Sequence, residues 1–391
     1  MLRYLTSGES HGRGLVVIIE GMPAGVPFSS RMVVEELARR RLGHGRGPRM
    51  ALESDKVTLI GGVRHGRTLG SPVSAVIENV EFDEKWAEQM NPDSGSSSSP
   101  LTMPRPGHAD LAGMLKYDFD DARNVLERAS ARETAARSTA GALAKSLLSE
   151  VGVSVISHVL AVGGVFASKT GIGPDSGSAI DADPMRCADE AASKEMTQVV
   201  DEAREAGDTL GGVFEVVAFG VPVGVGSYVH WDRKLDALLA AAVVSVNAVK
   251  AVEIGDAWEQ AASRGSQAHD EIGLGGSDAD TRLMRSSNRA GGIEGGMATG
   301  EPIVVRGAMK PLASLSPPLR TVDMATGQEA SALTQRTDSC AVPAAAVVAE
   351  SMVALVIASE MLRKFGGDSL DQFREAVEAW SQRMARRQPQ A

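Results

Sequence analysis

Cysteine is nearly absent from this chain. Cys187 and Cys340 are the only two in 391 residues, too few for a disulfide framework or a thiolate metal cluster. A reducing, cytoplasmic setting is therefore the simplest expectation, with no metal. Positive charge is not in excess either. The formal net charge is −10, which argues against a general nucleic-acid binder. A basic site would have to be assembled against that overall sign. The opening residues, Met1-Leu2-Arg3-Tyr4, lack the charged-then-apolar pattern of a signal peptide. No Gly-x-x-x-x-Gly-Lys-Ser/Thr loop, His-Glu-x-x-His pair or Cys-x-x-Cys occurs, so these familiar phosphate, zinc and redox motifs are missing. Long apolar runs are scarce as well. Val342 to Leu362 comes closest, but Glu350 and Glu360 interrupt it, and Pro343 and Gly366 bracket it as they would a helix in a folded core. It reads as a buried helix and not as a membrane span.

Aromatics are scarce too, at 4%, while hydrophobic residues reach 43% and glycine 42 residues. A core of that composition relies on small side chains, so helices should lie close to sheets or to each other. Along the chain, Leu15–Glu20, Val57–Ile60, Pro72–Val80, Val153–Val165, Val213–Phe219 and Ile303–Met309 read as strands. A helix from about Arg31 should bury Val34, Leu37, Ala38 and Leu42 and stop at Gly43. Ser130 and Glu133 form a capping-box pattern that opens an alanine-rich helix to about Glu150. Asp183-Pro184 reads as the start of an amphipathic helix, after a Gly/Ser/Asp loop at 168–183. Leu235 to about Val252 is apolar nearly all round and should be a central helix. Leu370, Phe373, Val377, Trp380 and Met384 mark a final helix, with a fraying tail from Arg386. The Ser-rich stretch 91–99 reads as a mobile loop. Gly21-x-Pro23-x-Gly25 recurs as Gly220-x-Pro222-x-Gly224, each after a strand and before a helix. That echo hints at two related halves within one fold, and no linker marks a domain boundary.

The chemistry concentrates in a few stretches. Arg39, Arg40, Arg41, Arg46 and Arg49 fall within eleven residues. The first three suit a helix C-terminus, but Arg46 and Arg49 lie beyond it in a Gly/Pro loop. Guanidinium groups bind carboxylates and phosphates in a planar fork, and each charge-assisted hydrogen bond is worth roughly 1.5–3 kcal/mol. A small polyanionic ligand is the preferred reading. Arg105-Pro106-Gly107-His108-Ala109-Asp110 packs a guanidinium, an imidazole and a carboxylate into six residues. Arg128 and Arg132 flank the helix start at Ser130, a natural anion site. His11 and His108 are loop histidines suited either to structure or to proton transfer. Asp338, beside Arg336, reads as a cap or a general base, and Cys340 as an unremarkable thiol or a nucleophile. From the residues alone, this is an enzyme for a small anionic, phosphorylated substrate.

These same residues resemble the chorismate synthase family over essentially the whole chain. The resemblance rests on Gly8-Glu9-Ser10-His11-Gly12, Arg39-Arg40-Arg41 with Gly45-Arg46-Gly47, Arg105–Asp110, Arg128-Ala129-Ser130-Ala131-Arg132-Glu133-Thr134, Asn288-Arg289-Ala290-Gly291-Gly292 with Glu294-Gly295-Gly296, Lys310-Pro311, and Arg336 with Asp338-Ser339-Cys340-Ala341-Val342-Pro343. It implies an α+β fold over residues 1–391 as a single domain, a β–α–β sandwich with central helices between two antiparallel sheets, assembled as a homotetramer. The implied reaction is an anti-1,4-elimination of phosphate from 5-enolpyruvylshikimate 3-phosphate that yields chorismate, the last step of the shikimate pathway. It uses reduced FMN, with NADPH as a possible reductant. The resemblance implies that His11 keeps the reduced flavin protonated, that His108 acts as the acid near the departing phosphate, and that Asp338 assists the flavin N5 as base. Arg40, Arg46, Arg49 and Arg105 would hold the anionic groups, and Arg40 and Arg46 are also linked to NADPH. Flavin contacts are implied at Arg128, Ala129, Ser130, Asn247, Ala248, Gly295, Lys310, Pro311, Leu312, Ala313, Ser314 and Arg336. Two positions depart from the family pattern: Asn247 stands where glutamine is usual, and Lys310-Pro311-Leu312-Ala313-Ser314 replaces a Lys-Pro-Ile-x-Thr-like run. No nucleic-acid or membrane partner is expected.

Overall fold

Alternating side chains build the first sheet. Its strands are β1 (Arg3–Ser7), β2 (Gly14–Glu20), β3 (Val57–Gly61) and β4 (Val73–Glu78), in the antiparallel order β1-β2-β4-β3. Leu15, Val17 and Ile19 of β2 and Val73, Ala75 and Ile77 of β4 point to the buried side, as period-two patterning demands. The computed structural model describes residues 2–387 apart from 48–54, 94, 96, 98, 169–170, 276–282 and 336. Arg49, Arg336, parts of the 91–99 loop and the end of the tail lie outside the described residues.

The second sheet comprises β5 (Ser154–Val162), β6 (Val165–Phe166), β7 (Gly212–Phe219), β8 (Val249–Ile254) and β9 (Ile303–Met309), in the antiparallel order β8-β9-β7-β5-β6. Between the sheets lies a helical layer that includes α1 (Ser30–Arg40), α5 (Thr134–Ser149) and α9 (Val342–Phe365). The fold is thus α+β, with helices packed between two antiparallel sheets. The small side chains set the spacing. A Cβ added at Gly141 of α5 would sit 2.2 Å from Cβ of Ser351 on α9, so these two helices touch almost backbone to backbone. Glu350 and Glu360 are buried on α9 and carry ion-pair partners.

The two halves are more alike than one five-residue echo suggests. Dropping the short edge strand β6, the second sheet reads β5-β7-β9-β8, the same first-second-fourth-third order as the first sheet. All four glycines of the two Gly-x-Pro-x-Gly runs sit at φ between +76° and +90°, a region that glycine reaches without strain. Each run then docks on a hairpin. Gly25 N donates to Thr68 O and Gly224 N to Ala298 O, both at 2.8 Å. The hairpins share a second echo that reading the sequence alone missed. Gly62-Val63-x-x-Gly66-x-x-x-Gly70-x-Pro72-Val73 matches Gly292-Ile293-x-x-Gly296-x-x-x-Gly300-x-Pro302-Ile303 at identical spacing.

Several expectations need correction. Asp183-Pro184 does not start a helix. Asp183 Oδ1 instead accepts from the backbone N–H of Met185 and Cys187 and from Ser193 Oγ. Arg186 sits at φ +53°, and the helix α7 runs Glu190–Glu205 with Asp189 as its cap. The preceding loop contains a short helix, α6 (Gly177–Ala182). The apolar stretch from Leu235 splits into α8 (Leu235–Val244) and strand β8, because Ala248 turns the chain at φ +65°. α8 still belongs to the helical layer, packing on α9 and β8 through buried Leu235, Leu239 and Val243, but it is shorter than the expected helix. In α1 the buried residues are Val33, Glu36, Leu37 and Arg40, while Val34 is exposed. The Ser130 cap holds Arg132 N, and Glu133 reaches Thr6 and Arg137 instead of closing a capping box.

Candidate active site

Both long central helices start at one place. Thr134, which opens α5, with Ala131 in the tight turn just before it, and Ala344 and Ala345 in the first turn of α9, with Ala341 as its cap, line a cavity of about 490 Å³. Two helix N-termini facing one volume favour an anion there. Among the described residues five permanent cations line it as well, namely Arg40, Arg46, Arg105, Arg132 and Lys310, with Asp338 as the one lining carboxylate.

Pro106 and Gly107 keep the chain out of a helix until α3 (Asp110–Tyr117). Asp110 is fully buried and organises the stretch. Its Oδ2 accepts from Arg105 N at 3.1 Å and Arg105 Nε at 2.8 Å, and its Oδ1 lies 2.5 Å from His108 Nδ1. Burial alone would raise the Asp110 carboxyl. Hydrogen bonds from His108 and Arg105 outweigh it and hold the group well below the usual carboxylate range. Arg105 continues to Ser314 Oγ and Gln335 Oε1, each at 3.3 Å, which ties this turn to the segment after β9.

His11 sits in the loop joining β1 to β2. Its backbone N–H donates to Glu127 Oε2 at 2.9 Å, and Nδ1 lies 3.0 Å from both Glu127 oxygens. Glu127 belongs to α4 (Arg123–Ala129) and is buried. Residues 8–12 also spell Gly-x-Ser-x-Gly. They connect two strands, not a strand to a helix, so Ser10 is not on a nucleophile elbow; its Oγ accepts from Ser130 Oγ at 3.1 Å. Trp86, on α2 (Glu84–Gln89), stacks on His11 with ring centroids 3.9 Å apart.

The arginine cluster divides three ways. Arg40 is buried and its Nε donates to Thr134 Oγ1 at 2.9 Å, with Nη2 on Ala131 O at 3.1 Å. Arg46 pairs with Asp338 at 2.7 Å, while Gly47 N donates to the other Asp338 oxygen at 2.6 Å. Both belong to the cavity. Arg39 turns away into Asp181, Glu36 and Glu350, and Arg41 pairs with Asp55. Neither lines the cavity, so reading the whole run as one anion site was too broad.

Of the remaining expected residues, Ala129, Ser130, Asn247, Ala248 and Lys310 to Ser314 line the cavity. Asn247 Nδ2 donates to Ala129 O at 3.0 Å, and its Oδ1 is a buried acceptor without a partner among the described residues. Lys310 Nζ donates to Gly107 O. Arg128 is not on the cavity. It donates to Gly8 O and Thr6 O and faces a neighbouring cleft lined by Tyr4, Arg137 and Ser245, with Ala129 and Asn247 as the shared wall. Gly295 lies away from it too, in the turn between Glu294 and Met297. Cys340 is buried, and burial pushes its thiol up to about 11, which removes it as a nucleophile. Sequence reading also passed over Glu127, Trp86, Gln335 and Thr337. Glu127 adjoins a motif, but neither it nor Trp86 carries a spacing signal, since their partner is over seventy residues away.

Such a pocket can grip a small polyanion and exchange protons with it through two imidazoles. Comparison with known proteins identifies the family. The family described as Chorismate synthase matches residues 2–362. Chorismate synthase of Frankia casuarinae is 55% identical over 389 residues, covering 97% of this chain and 98% of that protein. That of Salinispora tropica is 56% identical over 381 residues, covering 95% and 96%, and that of Mycobacterium avium 54% over 402 residues, covering 100% and 99%. A solved structure titled Crystal Structure of Chorismate Synthase superposes with a TM-score of 0.79 at 37% identity, covering 98% of both chains. The chain belongs to the chorismate synthase family of lyases, which form chorismate in the shikimate pathway.

Proposed function

We propose that the chain, working as one domain, converts 5-enolpyruvylshikimate 3-phosphate to chorismate and phosphate by anti-1,4-elimination with reduced FMN. What carries this reading is one observation: His11, His108, Asp338, Arg40, Arg46 and Arg105 line the same cavity. The substrate bears a phosphate and two carboxylates, and the five lining cations and two helix N-termini suit that charge.

The wall fits a flavin in the donor set it offers. Asn247 Oδ1 is a buried acceptor without a partner among the described residues, and Ala129, Ala248 and Lys310–Ser314 line the same cavity. Reduced FMN, when bound, supplies electron density as the C–O bond breaks and takes up the ring hydrogen. The protein's own groups orient and move protons. Arg40, Arg46 and Arg105 grip the anionic groups, with Arg49 proposed alongside them. His108, backed by the ionised Asp110, gives a proton to the leaving phosphate. Asp338, held in place by Arg46 and Gly47 N, accepts a proton on the cofactor side. His11 holds the proton that balances the reduced ring.

Arg40 and Arg46 also suit NADPH as the reductant. A homotetramer is part of the reading: Ala237, Ala241 and Val244 leave one face of α8 apolar and exposed, and Tyr228, Val229 and Trp231 are exposed nearby. Two buried free thiols suit the cytoplasm. Anaerobic incubation with purified substrate and chemically reduced FMN tests the reading. Chorismate and phosphate should appear in equal amounts; substrate recovered intact would overturn it, and replacing the reductant by NADPH tests self-reduction.

A further inference from the structure

We propose that Glu127 is the positioning residue of His11: its buried carboxylate fixes the imidazole with Nδ1–H toward itself, so that Nε2 is the nitrogen offered to the cavity, while Trp86 clamps the ring face. This rests on the chorismate-forming reading above and assigns a part of its machinery that lies behind the cavity wall.

Three contacts join Glu127 to His11. The backbone N–H of His11 donates to Oε2 at 2.9 Å, and Nδ1 sits 3.0 Å from each oxygen. A second tie runs through the main chain, because Ser10 N donates to Glu127 O at 3.0 Å. The glutamate side chain is only 2% exposed, and α4 sets its orientation. An ionised carboxylate accepts only, so this contact assigns the hydrogen to Nδ1. The same arrangement orients metal-binding and catalytic histidines elsewhere.

Trp86 completes the hold. Its ring lies on the imidazole at 3.9 Å with 13° between planes. Arg123, which sits one turn before Glu127 on α4 and 3.4 Å from its Oε1, lies 5.4 Å from the indole centroid. The imidazole is therefore fixed along its edge by one residue and across its face by another, and both are tied to Arg123. Glu127 itself is not among the residues lining the cavity, so its action on a bound molecule passes through His11.

The test uses the full chain. Stacked imidazole quenches indole fluorescence on contact, so the emission lost on Trp86→Phe measures the stack without substrate or flavin. In Glu127→Gln that Trp86 emission should rise as the ring loosens, and kcat should fall about 100-fold, the low end of a general acid's contribution, with KM nearly unchanged. In a His11→Asn background the same substitution should cost nothing further, as expected for two groups acting as one. Unchanged Trp86 emission together with unchanged kcat in Glu127→Gln would overturn the proposal. So would full additivity with His11→Asn. If Glu127→Gln does not fold, Glu127→Asp, which withdraws the charge by one methylene, is judged by the same two readouts. Wild-type chain that makes no chorismate would instead reject the reaction, leaving Trp86 emission to decide the role of Glu127.

Discussion

Two ionic regions meet at α1 and serve opposite purposes. One, centred on Arg39, sets Arg39, Lys145 and Arg186 against Glu36, Asp181 and Glu350. Charge balances there, and the groups are largely buried. The other begins one residue later with Arg40 and lines the cavity, where among the described residues five cations face the open volume while Asp110 and Asp55 pair Arg105 and Arg132 from behind the wall. The difference teaches what each is for. A neutralised cluster locks helices together and has nothing left for a ligand. The second set turns its cations toward an open volume, where an anion can reach them.

The comparison is broken most sharply at its catalytic end. His108→Ala should lower turnover by about 10²- to 10⁴-fold while flavin affinity, read by fluorescence titration, holds. Full turnover would remove His108 from the acid role. At the neutral cluster the loss should appear as stability instead. Glu350→Ala leaves Arg39 and Lys145 without their shared carboxylate, so denaturant unfolding should show a loss of about 3–5 kcal/mol, with kcat per folded molecule unchanged. Loss of activity at full stability would mean that the two regions are not separate.

The same carboxylate makes a pH prediction. Burial alone would raise Glu350, but Lys145 and Arg39 outweigh it and hold the carboxyl well below the usual range. A depressed folded-state value contributes stability that is fully present above the unfolded pKa of about 4.3 and disappears as pH falls below it. The stability gap between wild type and Glu350→Gln should therefore narrow below about pH 4; a gap that widened in acid would contradict the assignment.

Smaller effects sharpen the contrast. Arg40→Ala should raise KM about 10- to 100-fold through one lost charge-assisted contact of roughly 1.5–3 kcal/mol, with a lesser change in kcat. Gly141→Ala should cost about 1–3 kcal/mol by overpacking α5 against α9, seen in thermal unfolding and nowhere in KM. Smallest of all, native Cys340 should resist iodoacetamide at pH 8, since burial keeps its thiol protonated. Rapid labelling would show that the α9 start opens.

Much of the scaffold was legible from the residues because its signals are local. The short, mostly apolar run Ile303–Met309 before Pro311 is an interior strand, and Pro343 and Gly366 bracket α9 as expected. Failures came where a local pattern has two readings. The apolar run after Leu235 carries no period that separates a helix from a strand, and a left-handed Ala248 divides it. Asp183-Pro184 has the chemistry of a helix start, but its carboxylate is used to close a turn. Arg39, Arg40 and Arg41 are indistinguishable as letters, yet successive helical positions rotate by about 100°, so they reach three different environments.

The sequence by itself determined the element types with clear periodicity, the paired halves and the family, because motif spacing and patterning are properties of the chain. Only the tertiary structure decided which arginines face a ligand, that Asp110 and Glu127 stand behind the two imidazoles, and that two helix starts share one cavity. Those are relations between side chains far apart in sequence. Burial and partner charge exist only once the sheets have closed around the helices.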